Sequence, residues 1–277
     1  MTAKFFRYSV ALLGFAMAIS LGAGIASARQ PAGYSQDKDK DKGEKKEKIN
    51  KAEEAAYKAF LATQGGDPAT QVKQGEDFVT KFPTSKYDGG VYGILTTAYF
   101  ASGDTDKMFA AGAKSLEINP DNADVLALLA MAIPRRVKAT APDYAQQMQK
   151  AEAYAHHAIE VIPSLTKPET VDDATFEKAK NDKLSLAHSG LGLIALTQKK
   201  MYEDARTELT QAVQLASSPD PVDYYLLGNA DAQASYMNGA IAAYEKCAAS
   251  GPLTTACKAR VEAVKKDMAS GTKLSRD

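Results

Sequence analysis

The chain has 277 residues, of which 45% are hydrophobic, and its 34 basic and 34 acidic side chains give a formal net charge of zero. This balance argues against a general nucleic-acid-binding protein, because such proteins need an excess of basic residues to meet the phosphates. The hydrophobic content is sufficient for a packed core, and the length fits one large domain or one array of repeats.

The N-terminal region has the pattern of a secretory signal peptide. Lys4 and Arg7 precede an uncharged, apolar stretch over residues 10–26, and the small-x-small sequence Ala26-Ser27-Ala28 follows. The pattern predicts a signal peptide over residues 1–28, cleaved after Ala28. An uncleaved membrane anchor is the alternative, and the short, glycine-rich stretch makes it the weaker one. No cysteine follows that could carry a lipid, so we expect a periplasmic or secreted protein without a stable membrane anchor.

Residues 29–49 are expected to form a charged, disordered linker. Most of this segment, from Gln36 to Lys48, contains no apolar residue, and its charges nearly cancel. Such a segment cannot bury surface on folding. An electrostatic tether to lipid or to the cell wall is the alternative interpretation.

From Ile49 onward the sequence predicts helices almost throughout. Apolar residues recur at three- and four-residue spacing, with glycines and prolines between the segments. Two segments share one plan, in which two helices are joined by a turn and the second ends at a proline. The predicted units are 50–83, 89–122, 123–163 with extra residues at its turn (about 134–142), 172–218, 221–252, a capping helix over 253–270 and a tail over 271–277.

The repeats resemble the tetratricopeptide repeat family. The residues that carry the resemblance are Gly228, Ala240, Tyr244 and Pro252 in the clearest copy and Tyr92, Leu95, Tyr99 and Pro120 in the next. The joint over residues 82–87 is also similar to joints in exported tetratricopeptide proteins of Gram-negative bacteria. The resemblance implies an all-α, right-handed solenoid of about four to five helix pairs with a C-terminal capping helix.

The resemblance also implies a binding groove on the concave face, which the first helix of each repeat forms in this family. Some members of the family clamp a partner's terminal carboxylate with lysine, arginine and asparagine. Asn229 is present but no matching basic residue was found, so an extended or helical peptide held by apolar contacts and amide hydrogen bonds is expected instead. Packing of several of these residues under a neighbouring helix is the alternative. The expected groove residues are Gly93, Thr97, Phe100, Ala127, Met131, Ser189, Leu193, Tyr225 and Asn229.

The two cysteines are placed symmetrically about a proline. Cys247 lies five residues before Pro252, and Cys257 lies five residues after it. Equidistant positions in a tight helical hairpin tend to face each other, and an exported protein meets an oxidising compartment. We therefore expect a disulfide between Cys247 and Cys257. Two buried thiols in small-residue positions are the alternative.

A basic segment at an expected turn could form a second contact surface. Residues 134–138 contain Arg135, Arg136 and Lys138 in the predicted insertion of the third unit. Loops on a rigid scaffold often carry binding residues. A solvated loop that covers one end of the array is the alternative.

The remaining motifs do not indicate catalysis or a cofactor. Residues 190–195 match a loose dinucleotide-binding pattern, but the preceding segment reads as part of the same helix, so the glycines are interpreted as helix-crossing residues. The three histidines do not have the spacing of a metal site. No cofactor and no metal are therefore expected.

We expect a non-catalytic scaffold or adaptor that binds a protein or peptide partner in the cell envelope. An accessory role in outer-membrane or cell-wall assembly is one alternative. An enzyme acting on cell-wall glycan is another and would need paired carboxylates in a cleft. The pairs Asp172-Asp173 and Glu203-Asp204 are interpreted instead as helix caps and surface acids.

Overall fold

The computed structural model describes residues 50–249 and 251–277, and these form a helical array. The predicted signal peptide and linker lie outside the described residues. Within the described part the chain has no strand. The α-helices of these described residues are α1 (Lys51–Leu61), α2 (Pro68–Lys81), α3 (Asp88–Ser102), α4 (Thr105–Ile118), α5 (Ala123–Arg136), α6 (Tyr144–Val161), α7 (Asp173–Ile194), α8 (Tyr202–Leu215), α9 (Pro221–Gln233), α10 (Met237–Ala248) and α11 (Thr254–Ala269).

Each helix packs against the helix that follows it, and α5 also packs against α7. This nearest-neighbour pattern is that of a solenoid, in which no helix pair could bury its apolar face alone. A 3₁₀ turn (Ile162–Ser164) follows α6, and a π-helical segment (Ala195–Lys199) extends α7. The predicted all-α solenoid is confirmed.

Several of the described helices begin where the sequence supplies a capping residue. In six helices an aspartate or asparagine before the first turn accepts hydrogen bonds from backbone amides that have no partner inside the helix. Asp172 is one of them, since its side chain accepts from the amide of Thr175, 2.9 Å away. It is therefore a cap, as expected. The six capping residues are Asn50, Asp67, Asp104, Asn122, Asp172 and Asp220.

Glycines allow close crossings between helices of the array. A Cβ placed on Gly228 would lie 2.6 Å from the ring of Tyr244. A Cβ on Gly190 would lie 2.3 Å from the carbonyl oxygen of Ala130 on α5, and one on Gly192 would lie 2.5 Å from Leu209 on α8. Gly190 and Gly192 lie inside α7, so the interpretation of the dinucleotide-like motif as crossing glycines is confirmed.

A disulfide joins the last repeat to the closing helix. Cys247 near the end of α10 is bonded to Cys257 in α11, and their Cα atoms are 6.0 Å apart. Both residues have 0% exposure. The bond fixes α11 against α10, and α11 forms one wall of a cleft at the C-terminal end of the array.

Candidate functional site

The predicted groove is not continuous along the array. Ala127 and Ser189 have 0% exposure and Met131 has 4%. The prediction that these three residues line an accessible groove is wrong. The physical reason is the close packing of α5 on α7, where Ala127 joins the same buried cluster as Ala187.

The N-terminal part of the predicted groove is also largely occupied by packing. A Cβ on Gly93 would lie 2.7 Å from the side-chain nitrogen of Asn122, so this glycine marks a contact with the start of α5. The guanidinium of Arg136 lies 4.7 Å from the centroid of the Phe100 ring. Of the three residues predicted on α3, Thr97 is the exposed one.

An open cleft of about 390 Å³ lies at the C-terminal end of the array. The π-helical segment, α9, α11 and the residues that follow α11 contribute its walls. Of the predicted groove residues, Asn229 lines this cleft. The apolar lining residues are Leu196, Ala232, Tyr244, Ala263 and Val264, and the polar or charged ones are Thr197, Lys200, Tyr202, Asn229, Gln233, Arg260, Asp267 and Lys273.

The wall that α7 contributes has an irregular backbone. The chain leaves the α-helix at Ala195, forms one π-helical turn and ends it at Lys200, whose φ of 54° lies in the left-handed region. Left-handed backbone is uncommon for a residue other than glycine, and π-helical turns are frequent at functional sites. Here the turn places Thr197 and Lys200 at the cleft.

Tyr244 and Tyr225 contact each other, and each forms a hydrogen bond with a polar residue of the cleft. The hydroxyl of Tyr244 donates to Oδ1 of Asn229 at 2.7 Å, and the ring centroids of Tyr244 and Tyr225 are 5.9 Å apart. Arg260 on α11 donates to the hydroxyl of Tyr225 at 3.4 Å. This hydrogen bond, against partial burial, raises the pKa of Arg260. Tyr225 therefore connects α9 to a cation of the cleft, whereas Leu193 packs half-buried beside the core of α8 and α9.

The cleft carries an excess of positive charge. Lys200, Arg260 and Lys273 line it, and Asp267 is the acidic residue among its lining residues. Within the described residues, none of the three cations forms an ion pair with a carboxylate. An anionic group would therefore find cations there that are not already neutralised.

Sequence reasoning missed these cations because they lie outside the first helices of the repeats. Lys200 ends the π-helical turn, Arg260 lies on the closing helix, and Lys273 lies beyond it. One signal was available in the sequence. Arg260, Ala263, Val264 and Asp267 have the i, i+3, i+4, i+7 spacing of a single helix face, which the closing helix presents to the cleft.

The predicted basic contact loop is corrected by the structure. Arg135 and Arg136 belong to the last turn of α5, which continues through Pro134, and the loop begins only at Val137. The side chain of Arg135 is 15% exposed and pairs with Asp220 at 2.7 Å and with Asp223. It is therefore not available to a partner. Lys138 is exposed in the loop.

The pair between Arg135 and Asp223 lies in a largely dry environment. Asp223 is 5% exposed, and it also accepts a hydrogen bond from Ser189 at 2.7 Å. Burial raises the pKa of Asp223, and nearby Asp220 adds to this, whereas Arg135 opposes it. Burial of the guanidinium by itself lowers the pKa of Arg135. The nearby carboxylates of Asp223 and Asp220 outweigh this effect, so the pKa of Arg135 is raised. This network joins α5, α7 and α9.

The histidines do not form a common site. His157 contacts Asp121 at 2.7 Å, and His188 contacts Glu208 at 2.7 Å on other helices. The described residues contain no group of three or more histidine, cysteine, aspartate or glutamate side chains placed to hold a metal ion. In residues 50–249 and 251–277, no helix is both long and apolar enough to cross a membrane.

Comparison with known proteins gives a likeness at the level of the fold. No protein-family model matches the chain, and no curated protein sequence matches it. Among solved structures, the fold is similar to that of a protein described as "Assembly Chaperone of RpL4 (Acl4)", residues 1–338. The TM-score is 0.50 at 10% sequence identity, over 79% of this chain and 98% of that one.

Proposed function

We propose that the chain is a non-catalytic, protein-binding repeat protein of the tetratricopeptide type, and that its C-terminal cleft holds an acidic segment of a partner protein. The observation that carries the proposal is the set of three cations around the cleft, Lys200, Arg260 and Lys273, which have no carboxylate partner within the part of the chain that the structure describes. The sequence predicts a peptide held by apolar contacts and amide hydrogen bonds, and the proposal adds cations that select an acidic peptide.

The lining of the cleft suits a peptide with both acidic and apolar residues. Leu196, Ala263 and Val264 supply apolar surface, and the three cations line the same cleft. Asn229 accepts from Tyr244, and its amide nitrogen has no partner in the described structure, so it can donate to a peptide carbonyl. Peptide recognition commonly combines apolar pockets with a few polar groups that fix register.

The likeness to an assembly chaperone supports the class of function. That protein is named for another protein, RpL4, on which it acts. A solenoid of this kind offers an extended surface to a partner, and catalysis is not needed for such a role. The partner of the present chain would be a protein of the cell envelope, and an accessory role in envelope assembly fits the same site.

The binding test uses three fluorescent peptides of eight residues, in which leucine alternates with glutamate, glutamine or lysine. Fluorescence anisotropy with the chain from residue 29 onward should show binding of the glutamate peptide. We expect the affinity to fall steeply with added salt, because exposed charge pairs are screened. Equal binding of all three peptides would contradict the proposed chemistry.

A matched pair of variants on α11 locates the binding site. Arg260→Ala removes a cleft cation, whereas Lys258→Ala removes an exposed cation from the same helix that does not line this cleft. Contacts between exposed charges are worth about 0.2–1 kcal/mol, so Arg260→Ala should weaken binding by about 1.4- to fivefold. An equal loss in both variants would place the peptide elsewhere.

The exported location is proposed on the N-terminal sequence alone. The charged start, the apolar stretch and the small residues before Arg29 are the features of a cleaved signal peptide. Expression of the full chain in a Gram-negative host, followed by N-terminal sequencing of the soluble periplasmic fraction, should give Arg29 as the first residue. Recovery of the intact chain in the cytoplasmic fraction would contradict export.

A further inference from the structure

The residues after α11 turn back and contact the body of the array. Gly271, with a φ of 66°, reverses the chain after α11. The amides of Thr272 and Lys273 then donate to the carbonyl of Asp267 at 3.0 and 3.3 Å. From there the segment reaches the start of α10, so the stretch that the sequence identified simply as a tail is an ordered part of the structure.

The tail supplies the cap that α10 does not have. The residue before α10 is Tyr236, which makes no side-chain capping bond. The amide of Met237 donates to the hydroxyl oxygen of Ser275 at 2.9 Å. The amides of Asn238 and Gly239 donate to the two carboxylate oxygens of Asp277 at 3.1 and 2.8 Å. Three backbone amides in the first turn of α10, which have no partner inside the helix, thus donate to side chains that lie about 38 residues later in the chain.

Arg276 ties the same segment to two further elements. Its amide donates to the carbonyl of Ser235 at 2.8 Å, and its guanidinium lies 4.8 Å from the ring centroid of Tyr236. The guanidinium also pairs with Glu203 in the first turn of α8. The short sequence Ser275-Arg276-Asp277 therefore has a specific partner for each of its side chains.

The tail also contributes to the cleft. Lys273 lines the cleft, and it lies two residues before the first docked side chain. Two extended residues span about 7 Å, so docking of Ser275 confines Lys273 to a small region. Without docking, Lys273 would be held by the contact of its own amide with Asp267 and would be confined less closely at the cleft wall.

We propose that residues 272–277 form a latch, which docks on the first turn of α10 and so holds Lys273 at the cleft. This proposal rests on the proposed function of the cleft. Because Lys273 connects the two events, binding of an acidic peptide stabilises the docked latch, and the docked latch strengthens peptide binding by the same factor. Arg276 and Asp277 are thus positioning residues for a site that they do not themselves line.

The experiment measures latch docking and peptide affinity separately in the full mature chain. Asp277→Ala removes the capping carboxylate from an exposed position, so the array should stay folded. Asp106→Ala, which removes an exposed acid from the first turn of α4, is the matched control. Docking is measured by hydrogen exchange at the amides of Asn238 and Gly239, and affinity is measured with the alternating glutamate-leucine peptide.

We expect Asp277→Ala to lose exchange protection at both amides and to bind the peptide more weakly by up to about fivefold, the upper end for one exposed charge contact. Adding Lys273→Ala to Asp277→Ala should then cause little further loss, because the two changes act through the same contact. Peptide binding to the unaltered chain should raise protection at both amides.

Three results would overturn the latch. Unchanged protection in Asp277→Ala means that the tail does not dock on α10. Lost protection with unchanged peptide affinity means that the tail is only a helix cap. No binding of the glutamate-leucine peptide by the unaltered chain would overturn the proposed function and the coupling together. The first and second results would leave the proposed function intact and overturn the latch alone.

Discussion

Arg135 and Asp223 lie 88 positions apart in the sequence, and their side chains form an ion pair in which both partners are mostly buried. The pair connects the last turn of α5 to the first turn of α9, past the intervening helix α7, whose Ser189 joins the network. Such a contact lies beyond nearest neighbours and therefore adds cooperativity to a solenoid, whose repeats otherwise contact only adjacent ones.

Arg135→Met should be among the most destabilising single substitutions in the chain. It leaves the buried carboxylate of Asp223 without its main counter-charge, and removing one partner of a buried pair costs about 3–5 kcal/mol. Urea unfolding followed by circular dichroism would give the change in free energy of unfolding. Lys58→Met, which breaks an exposed pair with Glu54 on α1, should leave that free energy nearly unchanged.

The loss of unfolding free energy caused by Arg135→Met should become smaller as the pH falls. Burial already raises the pKa of Asp223 in the native protein, and loss of Arg135 removes the opposing effect. The folded variant then binds a proton more tightly than the unfolded chain does, so its stability rises as the pH falls through the folded pKa. An equal loss of unfolding free energy at pH 8 and pH 5 would show that Asp223 is not stabilised by taking up a proton in the folded variant.

Gly228→Ala should destabilise the last repeat. The added Cβ would lie 2.6 Å from the ring of Tyr244, a contact that neither helix can accommodate without moving. Overpacking of this kind costs about 1–3 kcal/mol. Gly90→Ala is the control, since Gly90 is exposed on α3 and its Cβ would meet only the hydroxyl of Tyr57 at 3.3 Å. An equal effect of the two substitutions in thermal melts would contradict the crossing at Gly228.

Much of the fold was predictable because it depends on local patterns. Three- and four-residue spacing of apolar side chains predicts the helices, and the symmetric placement of Cys247 and Cys257 about Pro252 predicts their disulfide. These signals lie within one or two adjacent helices. The physics that produces them, amphipathic burial and hairpin geometry, acts over the same range.

The candidate site was less predictable because it depends on the relative placement of distant elements. Whether Ala127 faces the groove or packs under α7 depends on how closely the two helices approach, which a single-helix pattern does not encode. The partners of Arg135 lie 85 and 88 positions away. The docked tail has no apolar periodicity, because Ser275, Arg276 and Asp277 bind through polar contacts.

Reduction of the disulfide should lower the stability of the C-terminal repeat. The bond closes a loop of about ten residues, for which the chain-entropy model gives roughly 2–3 kcal/mol. The double variant Cys247→Ala/Cys257→Ala should show this loss in urea unfolding, and a reducing agent should have no further effect on it. Two titratable thiols in the denatured, unreduced mature protein would contradict the bond.

Tyr244 should make the stability of the protein fall in alkaline solution. Burial raises the pKa of Tyr244 from 10.0 to about 12. Between these values the folded protein keeps the phenolic proton while the unfolded chain loses it, so the folded state binds more protons and its stability falls as the pH rises. A shift of two units corresponds to about 2.7 kcal/mol at most.

The measurement compares the native chain with Tyr244→Phe in urea at pH 8, 10 and 11.5. At pH 8 the native chain should be more stable by about 1 kcal/mol, the typical contribution of a hydrogen bond such as that from Tyr244 to Asn229. The difference should shrink above pH 10 and reverse by pH 11.5, because only the native chain carries the titrating hydroxyl at this site. Tyr224→Phe on α9, whose hydroxyl has no hydrogen bond in the described structure, is the matched control. A constant difference between the native chain and Tyr244→Phe across the three pH values would mean that the hydroxyl of Tyr244 reaches solvent through the cleft.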